Sequence, residues 1–276
     1  MTGQPVLACA AVTVEVPGRT LVRDLTLDLP AGELLVVLGR NGSGKSSTLH
    51  TLAGLRTPAR GEVLVAGRRI DSWPRRELAR TLGLLPQMVD DPFPATALEA
   101  VLVGRHPHLD FWAWESSDDR AAARRALAAV DLDGLEHRDI ATLSGGERRR
   151  LSIATILAQD PAIFLLDEPI HQLDPQHQLE VLRIFRRLAD AGRTVVVSLH
   201  DLGLAARFAD SALLLFGDGR WHCGSCDETL NEHSIGELYG TFARFDAQIQ
   251  DPCNGATGQA GANCSTLGVP NPATFE

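Results

Sequence analysis

Long apolar runs are missing from this sequence. No stretch approaches the roughly 18 residues needed to cross a bilayer, so no membrane-spanning helix is expected. Met1 to Val6 lacks the basic segment followed by an apolar one that marks a secretory signal, and the expected location is cytoplasmic. A basic excess is missing too. With 26 Lys and Arg against 35 Asp and Glu, the net charge is −9, which argues against a broad nucleic-acid footprint, and no nucleic-acid partner is expected. The five cysteines, Cys9, Cys223, Cys226, Cys253 and Cys264, are odd in number and irregular in spacing, unlike a secreted disulfide framework. Cys223-Gly-Ser-Cys226, preceded by His222, has the spacing of a redox or metal pair. It follows a strand instead of opening a helix and has no second pair, so a turn that holds two thiols is expected.

What remains is the balance of a globular protein, 44% hydrophobic and 22% charged, in a chain of 276 residues that can bury a core across one or two domains. The segments Val6 to Val16 and Leu21 to Leu29 alternate apolar with polar residues, as half-buried antiparallel strands do, with Pro17-Gly18 as their turn. Leu34 to Leu38 and Ala162 to Leu166 are apolar throughout, as expected of strands covered on both faces. Further strands are expected at Glu62 to Ala66, Leu82 to Leu85, Thr194 to Leu199 and Ala212 to Phe216. Helices are expected at Ser47 to Leu55, Pro74 to Arg80 and Pro175 to Ala191, the last with Leu179, Leu182, Phe185 and Leu188 on one face. Strands alternating with helices predict an α/β fold with a mostly parallel sheet, preceded by an antiparallel β-subdomain. After Gln87, about residues 90–156 read as a helical insertion, rich in Ala and Arg from Ser117 to Val130. Beyond Asp251 large apolar residues almost vanish. Residues 1–250 are therefore expected to fold and 251–276 to be a disordered tail.

Directly after the apolar run at Leu38 comes Gly39-Arg40-Asn41-Gly42-Ser43-Gly44-Lys45-Ser46, which opens the expected helix. Glycines permit positive φ and close backbone approach, so successive N–H groups can surround an anion at the positive end of a helix. In such a phosphate loop Lys45 reaches the β- and γ-phosphates and the Ser46 hydroxyl ligates magnesium. The residues expected to contact nucleotide here are Gly39, Arg40, Asn41, Gly42, Ser43, Gly44, Lys45, Ser46 and Ser47. The apolar strand Ile163 to Leu166 ends in Asp167 and Glu168. Asp167 is placed to hold magnesium, a hard ion that prefers oxygen. Glu168, one residue on, is placed to polarise a water for in-line attack on the γ-phosphate.

Leu143-Ser144-Gly145-Gly146-Glu147 precedes another helix-forming run, with Ser144 suited to cap it. Together with the phosphate loop this pentapeptide resembles the signature of the ATP-binding cassette (ABC) ATPases, and the resemblance extends from about Val6 to Tyr239. It implies the ABC ATPase fold on a phosphate-loop NTPase core, ATP with magnesium as its ligands, and hydrolysis coupled to transport. By the same resemblance Gln87 contacts magnesium and the attacking water, and His200 contacts the γ-phosphate. Asp174, with Leu173, sits in a loop that crosses to an opposite subunit, and Ser144, Gly145 and Gly146 close over ATP bound to a second copy. The partners implied are a second cassette, a membrane permease at the cytoplasmic face of the membrane and, indirectly, a periplasmic or extracellular substrate-binding protein. Arg148 to Arg150 are expected to be mainly a solvated helix face.

Two positions depart from the family's pattern. Val16 stands where an aromatic usually stacks on adenine, and Ile170-His171-Gln172 replaces the usual Thr-Asn-His or Thr-Ser-Ala before Leu173-Asp174. The stretch Gly104-Arg105-His106-Pro107-His108-Leu109, with Gln176-His177-Gln178 and His200-Asp201-Leu202, is similar to ATPases of importers for iron-siderophores, haem and cobalamin. The alternatives are a soluble cassette acting on nucleic acid or ribosomes and the ATPase of an unfused exporter.

Overall fold

A computed structural model describes residues 6–88, 94–110 and 114–240. The expected tail 251–276, with Cys253 and Cys264, and the expected start of the helical insertion near Asp90 lie outside the described residues.

Strands β1 (Leu7–Val16) and β2 (Arg19–Leu29) form the predicted antiparallel hairpin, turned at Gly18 with φ of 76°. Alternation is clean only where Leu25, Leu27 and Leu29 point inward. Register shifts between Cys9 and Glu15 break it in β1, where Ala11 takes φ of 49°. After β3 (Leu34–Leu38) and helix α1 (Lys45–Leu52), β4 (Arg60–Val65) and the two-residue β5 (Arg68–Arg69) complete a four-stranded sheet ordered β2-β1-β4-β5.

The second sheet is built from β3, β6 (Leu82–Leu85), β7 (Ile163–Leu166), β8 (Thr194–Ser198), β9 (Ser211–Leu215) and β10 (Trp221–Ser225), in the order β10-β9-β3-β8-β7-β6. All its pairings are parallel except β9 with β10. Side chains alternate across a strand, and β3 shows what that does here. Leu35 and Val37 join the core shared with the antiparallel sheet and with Leu49 and Leu52 of α1, while Leu34, Val36 and Leu38 join the core on the helical side. Covering on both faces is why β3 and β7 read as unbroken apolar runs and β8 carries three successive valines.

The helices are α2 (Arg75–Thr81) before β6, α3 (Ala97–Leu102), α4 (Ser117–Ala129) and α5 (Gly145–Gln159) in the insertion, and α6 (Pro175–Asp190), α7 (Leu202–Phe208), α8 (Cys226–Thr229) and α9 (Glu232–Tyr239) after it. A 3₁₀ turn, Val103–His108, follows α3. The insertion is helical as expected, though its last helix runs on to Gln159. Of the face expected on α6, Leu182 and Phe185 are buried, but Val181, Ile184 and Ala189 share the core with them, whereas Leu179 and Leu188 are only partly covered. The two-cysteine stretch differs from expectation: Cys223 lies within β10 and Cys226 is the first residue of α8. Both thiols are free, and burial pushes each up to about 11. Among the described residues no group of three metal-ligating side chains forms.

Candidate functional site

The loop from Gly39 to Lys45 holds its shape for two different reasons. Gly42 and Gly44 sit at φ of 76° and 107°, where a side chain is strained. Gly39 is not in that region. There a Cβ would meet Ser43 Oγ at 2.3 Å and the Leu215 carbonyl at 2.6 Å, so glycine is required by close approach, not by φ as the sequence suggests. Lys45, the first residue of α1, is buried and donates to the Gly39 carbonyl at 2.8 Å. Burial lowers its pKa, opposed by the charges of Glu168 and Asp167.

Across a cavity of about 650 Å³ from the loop lie Gln87, Glu168, His171 and His200. Asn41, Gly42, Gly44, Lys45, Ser46 and Ser47 line its other wall, with Val16 and Leu21 at one side. Gly39, Arg40 and Ser43 are not in the lining: Ser43 is buried beside Gly39 and Arg40 is exposed.

The acids, at the end of β7, are held by side chains from the ends of the two strands beside it, β6 and β8. Glu168 is buried, with φ of 47°, and that left-handed backbone turns its carboxylate toward Gln87 and His200. Gln87 Nε2 donates to Glu168 Oε2 at 2.9 Å, and His200 Nε2 lies 2.6 Å from Oε1. Beneath them Ser198, at the end of β8, donates to Asp167 Oδ1 at 2.7 Å and accepts from the Glu168 N–H at 2.8 Å. Ser198 is a site residue that the sequence did not mark: a serine ending a Val-rich strand carries no signal until the strand is paired. His171, noticed only as a departure from pattern, reaches the cavity.

Arg148 to Arg150 are only in part a solvated face: Arg148 is exposed as expected, Arg150 is half-buried and Arg149 is buried. Arg148 donates to the Leu143 and Ala141 carbonyls and Arg150 to those of Val130 and Asp131.

Ser144, Gly145, Gly146 and Asp174 lie outside this cavity. Ser144 caps α5 in a reciprocal pair with Glu147, its Oγ accepting from the Glu147 N–H at 3.2 Å while Glu147 Oε2 accepts from the Ser144 N–H at 2.7 Å. That arrangement pulls the Glu147 carboxyl below its usual range. Asp174 caps α6, accepting from the His177 N–H at 3.0 Å and lying 2.5 Å from His177 Nδ1. The four lie at the N-termini of α5 and α6.

A phosphate loop after β3 at the C-terminal edge of a mostly parallel sheet, two acids at the end of β7 two strands away, an antiparallel sheet on one face and a helical insertion on the other define a cassette-type nucleoside triphosphatase. Residues 22–171 match the family described as ABC transporter, and the chain belongs to it. As a member it binds and hydrolyses ATP. It is 42% identical over 221 residues to a hemin import ATP-binding protein of Gloeobacter violaceus, covering 78% of this chain and 79% of that protein. It is 37% identical over 241 residues to a petrobactin import ATP-binding protein of Bacillus anthracis, covering 86% and 87%. Among solved structures, a metal-chelate type ABC transporter in an inward-facing conformation superposes with a TM-score of 0.75 at 30% identity, over 85% of this chain and 89% of that one. A bacterial ABC transporter cassette solved as a dimer gives 0.70 at 28% identity, over 78% and 97%.

Proposed function

We propose that this chain energises an importer for a metal chelate such as haem or an iron-siderophore, or for a cobalamin-like ligand, and works as a pair of copies at the cytoplasmic face of a membrane permease. The observation that carries it is the ring around Glu168: a carboxylate bonded by Gln87 and His200 and facing Lys45 and Ser46 across one cavity. The import class rests on the relatives named for hemin and petrobactin.

In this reading Lys45 and the N–H groups of the loop bind the phosphates, and Glu168 orients a water and takes its proton. The water oxygen forms a bond to the γ-phosphorus as the bond to the β-phosphate's bridging oxygen breaks, leaving ADP and inorganic phosphate. Ser46, Asp167 and the amide oxygen of Gln87 are hard oxygen donors and suit magnesium. Asp167 is buried with one oxygen fixed by Ser198, so it has a single orientation to offer. When bound, the ion neutralises charge on the phosphate oxygens. His200, on Glu168 Oε1, is placed to follow the γ-phosphate. Ser144 to Gly146 and Asp174 complete the site of the second copy, which accounts for their lying outside this chain's own cavity.

A groove of about 500 Å³ between β6 and the insertion, lined by Leu85, Pro86, Ala95, Ala100, Val103 and Ile156, is assigned to a short apolar helix of the permease. Val103 is 57% exposed on its edge, and Pro86 adjoins Gln87, so an occupant there touches the chain one residue from the Glu168 ring. The test is purification from membranes: a permease should accompany the parent protein and be lost with Val103→Asp. That variant should lose transport and permease-stimulated hydrolysis more than hydrolysis by the isolated chain. Equal loss of all three would count against the assignment.

A further inference from the structure

Arg149 bonds main chain and not the carboxylate at the centre of the site, whose partners are Gln87 and His200. It lies one turn past the glycines of the Ser144 cap and is only 6% exposed. Its three nitrogens donate to five main-chain carbonyls: Nε to Pro169 at 3.0 Å, Nη1 to Pro86 at 2.9 Å and Gln87 at 3.2 Å, and Nη2 to Asp167 and Glu168, both at 2.8 Å. Among the described residues no carboxylate pairs with it. Burial pushes the guanidinium down to about 10, with the negative charges of Asp167 and Glu168 acting against that shift.

A buried cation is costly unless its donors are satisfied, and this one is satisfied by main chain alone. The carbonyls come from two segments that the sheet does not join beyond its edge. β6 pairs with β7 as far as Leu85 with Leu166, and the chains then continue as Pro86-Gln87 and Asp167-Glu168-Pro169 with no ladder between them. Apart from the Asp167 N–H bonded to the Leu85 carbonyl and the Gln87 to Glu168 side-chain bond, the guanidinium is what fastens these ends together. Its planar fork suits that task, because five N–H groups fixed in one plane set the positions of several acceptors at once.

We propose that Arg149 is a positioning residue for hydrolysis: it locks the main chain at Gln87 to that at Glu168 and ties both to α5, so that displacement of the capped end of α5 reaches the hydrolytic carboxylate. This rests on the reading of Gln87 and Glu168 as the hydrolytic pair. It makes α5 the arm that connects two sites within one chain. The N-terminus carries Ser144, Gly145 and Gly146, which serve the opposite copy, and one turn later Arg149 holds this copy's own glutamate. Removing the fork should leave the phosphate loop intact, because none of Arg149's hydrogen bonds goes to residues 39–47, so nucleotide binding is spared while the chemical step slows.

The experiment uses the full chain with Arg149→Lys, Arg149→Met, Gln87→Ala, Glu168→Gln and the double variants of Arg149 with Gln87→Ala. The readouts are kcat and KM for ATP, affinity for a non-hydrolysable ATP analogue, and the melting temperature. Arg149→Met should lower kcat by about 10- to 100-fold, the scale expected when a catalytic group is misplaced by around an ångström. Analogue affinity should stay within about threefold, and Arg149→Lys, which keeps the charge and a donor, should recover part of the rate. In the double variants the losses should not multiply, because both act on the same carboxylate. If Arg149→Met does not fold, Arg149→Lys carries the cycle. Losses that multiply, a parental kcat with only a lower melting temperature, or a raised KM at constant kcat would each overturn the proposal. Glu168→Gln hydrolysing at the parental rate would instead remove the reading of the site, and the proposal with it.

Discussion

Glu168 is under three constraints at once: a left-handed backbone, a main-chain bond to Ser198, and two side-chain partners on its carboxylate. Residues in sparsely populated backbone regions persist only where their surroundings over-determine them, and here those surroundings are Ser198, Gln87 and His200. Glu168→Gln should therefore keep ATP binding while kcat falls about 10²- to 10⁴-fold, the usual cost of losing a positioned general base. Sizing in ATP should show the variant held as a dimer; a monomer hydrolysing at the parental rate would refute the assignment. Val16 presents a second residue-scale question. It lines the cavity beside Leu21, while the neighbouring Arg19 donates to the Gly217 carbonyl at 2.8 Å and is not among the lining residues. An aliphatic wall gives dispersion contact without a π-face. Val16→Tyr should tighten ATP by up to about 1–3 kcal/mol, the measured range for a ring stacked on a base, with kcat little changed. Titration with ATP and GTP under non-hydrolysing conditions checks this, and unchanged affinity for both would place the base elsewhere.

At the scale of elements, the stretch Gly104 to His108 acquires a physical role. It packs as a 3₁₀ turn on the C-terminal end of α5, where helix carbonyls lack intrahelical donors. Arg105 donates to the Ala158 carbonyl at 2.8 Å while pairing with Asp119 of α4, and His108 Nε2 lies 2.8 Å from the Gln159 carbonyl. Cationic and donor groups at a helix C-terminus also suit its dipole. On the other side the Pro107 carbonyl accepts from Arg76 and Arg80 of α2, at 3.1 and 2.6 Å, so the turn joins the insertion to the sheet domain. The pivot is Gly104, where a Cβ would meet the Thr155 carbonyl at 2.2 Å. Gly104→Ala should push the turn off α5 and destabilise the protein by about 1–3 kcal/mol, as overpacking does. A thermal melt reads this directly, and an unchanged midpoint would show that the contact relaxes freely.

The whole molecule depends on acids that cap its helices. Asp119 is held below the usual carboxylate range mainly by the Ser116 hydroxyl, then Arg105. Glu99, Glu147 and Asp174 are held there mainly by backbone N–H groups of Thr96, Ser144 and His177. For a depressed folded pKa the stabilisation is complete above the unfolded value, about 3.9–4.3 for these residue types, and is lost as pH falls through the lower folded value. Melting temperature should therefore be level from about pH 7 to pH 5 as far as these groups go, and should fall below about pH 4. Asp119→Asn should be less stable than the parent at neutral pH, with the gap closing in acid. A gap constant across the series would mean that the carboxylate charge is not what Asp119 contributes.

By itself the sequence determined most of the strands and the longer helices, though not β5, β10, α3, α7, α8 or α9, and it pointed to residues of the main site. Strands covered on both faces favour apolar runs, a phosphate loop is glycine-rich, and acids at a strand's end are unusual enough to stand out, so β3, β7, Gly42, Lys45, Asp167 and Glu168 were legible in one dimension. Only the tertiary structure decided which neighbours complete that chemistry. Ser198 meets Asp167 because β8 pairs beside β7, and Arg149, one arginine of three, is the one that the helix turns toward the ends of β6 and β7. Composition cannot separate a buried guanidinium from a solvated one. What separates them is where unpaired carbonyls gather, and these gather only once distant strands have been laid side by side.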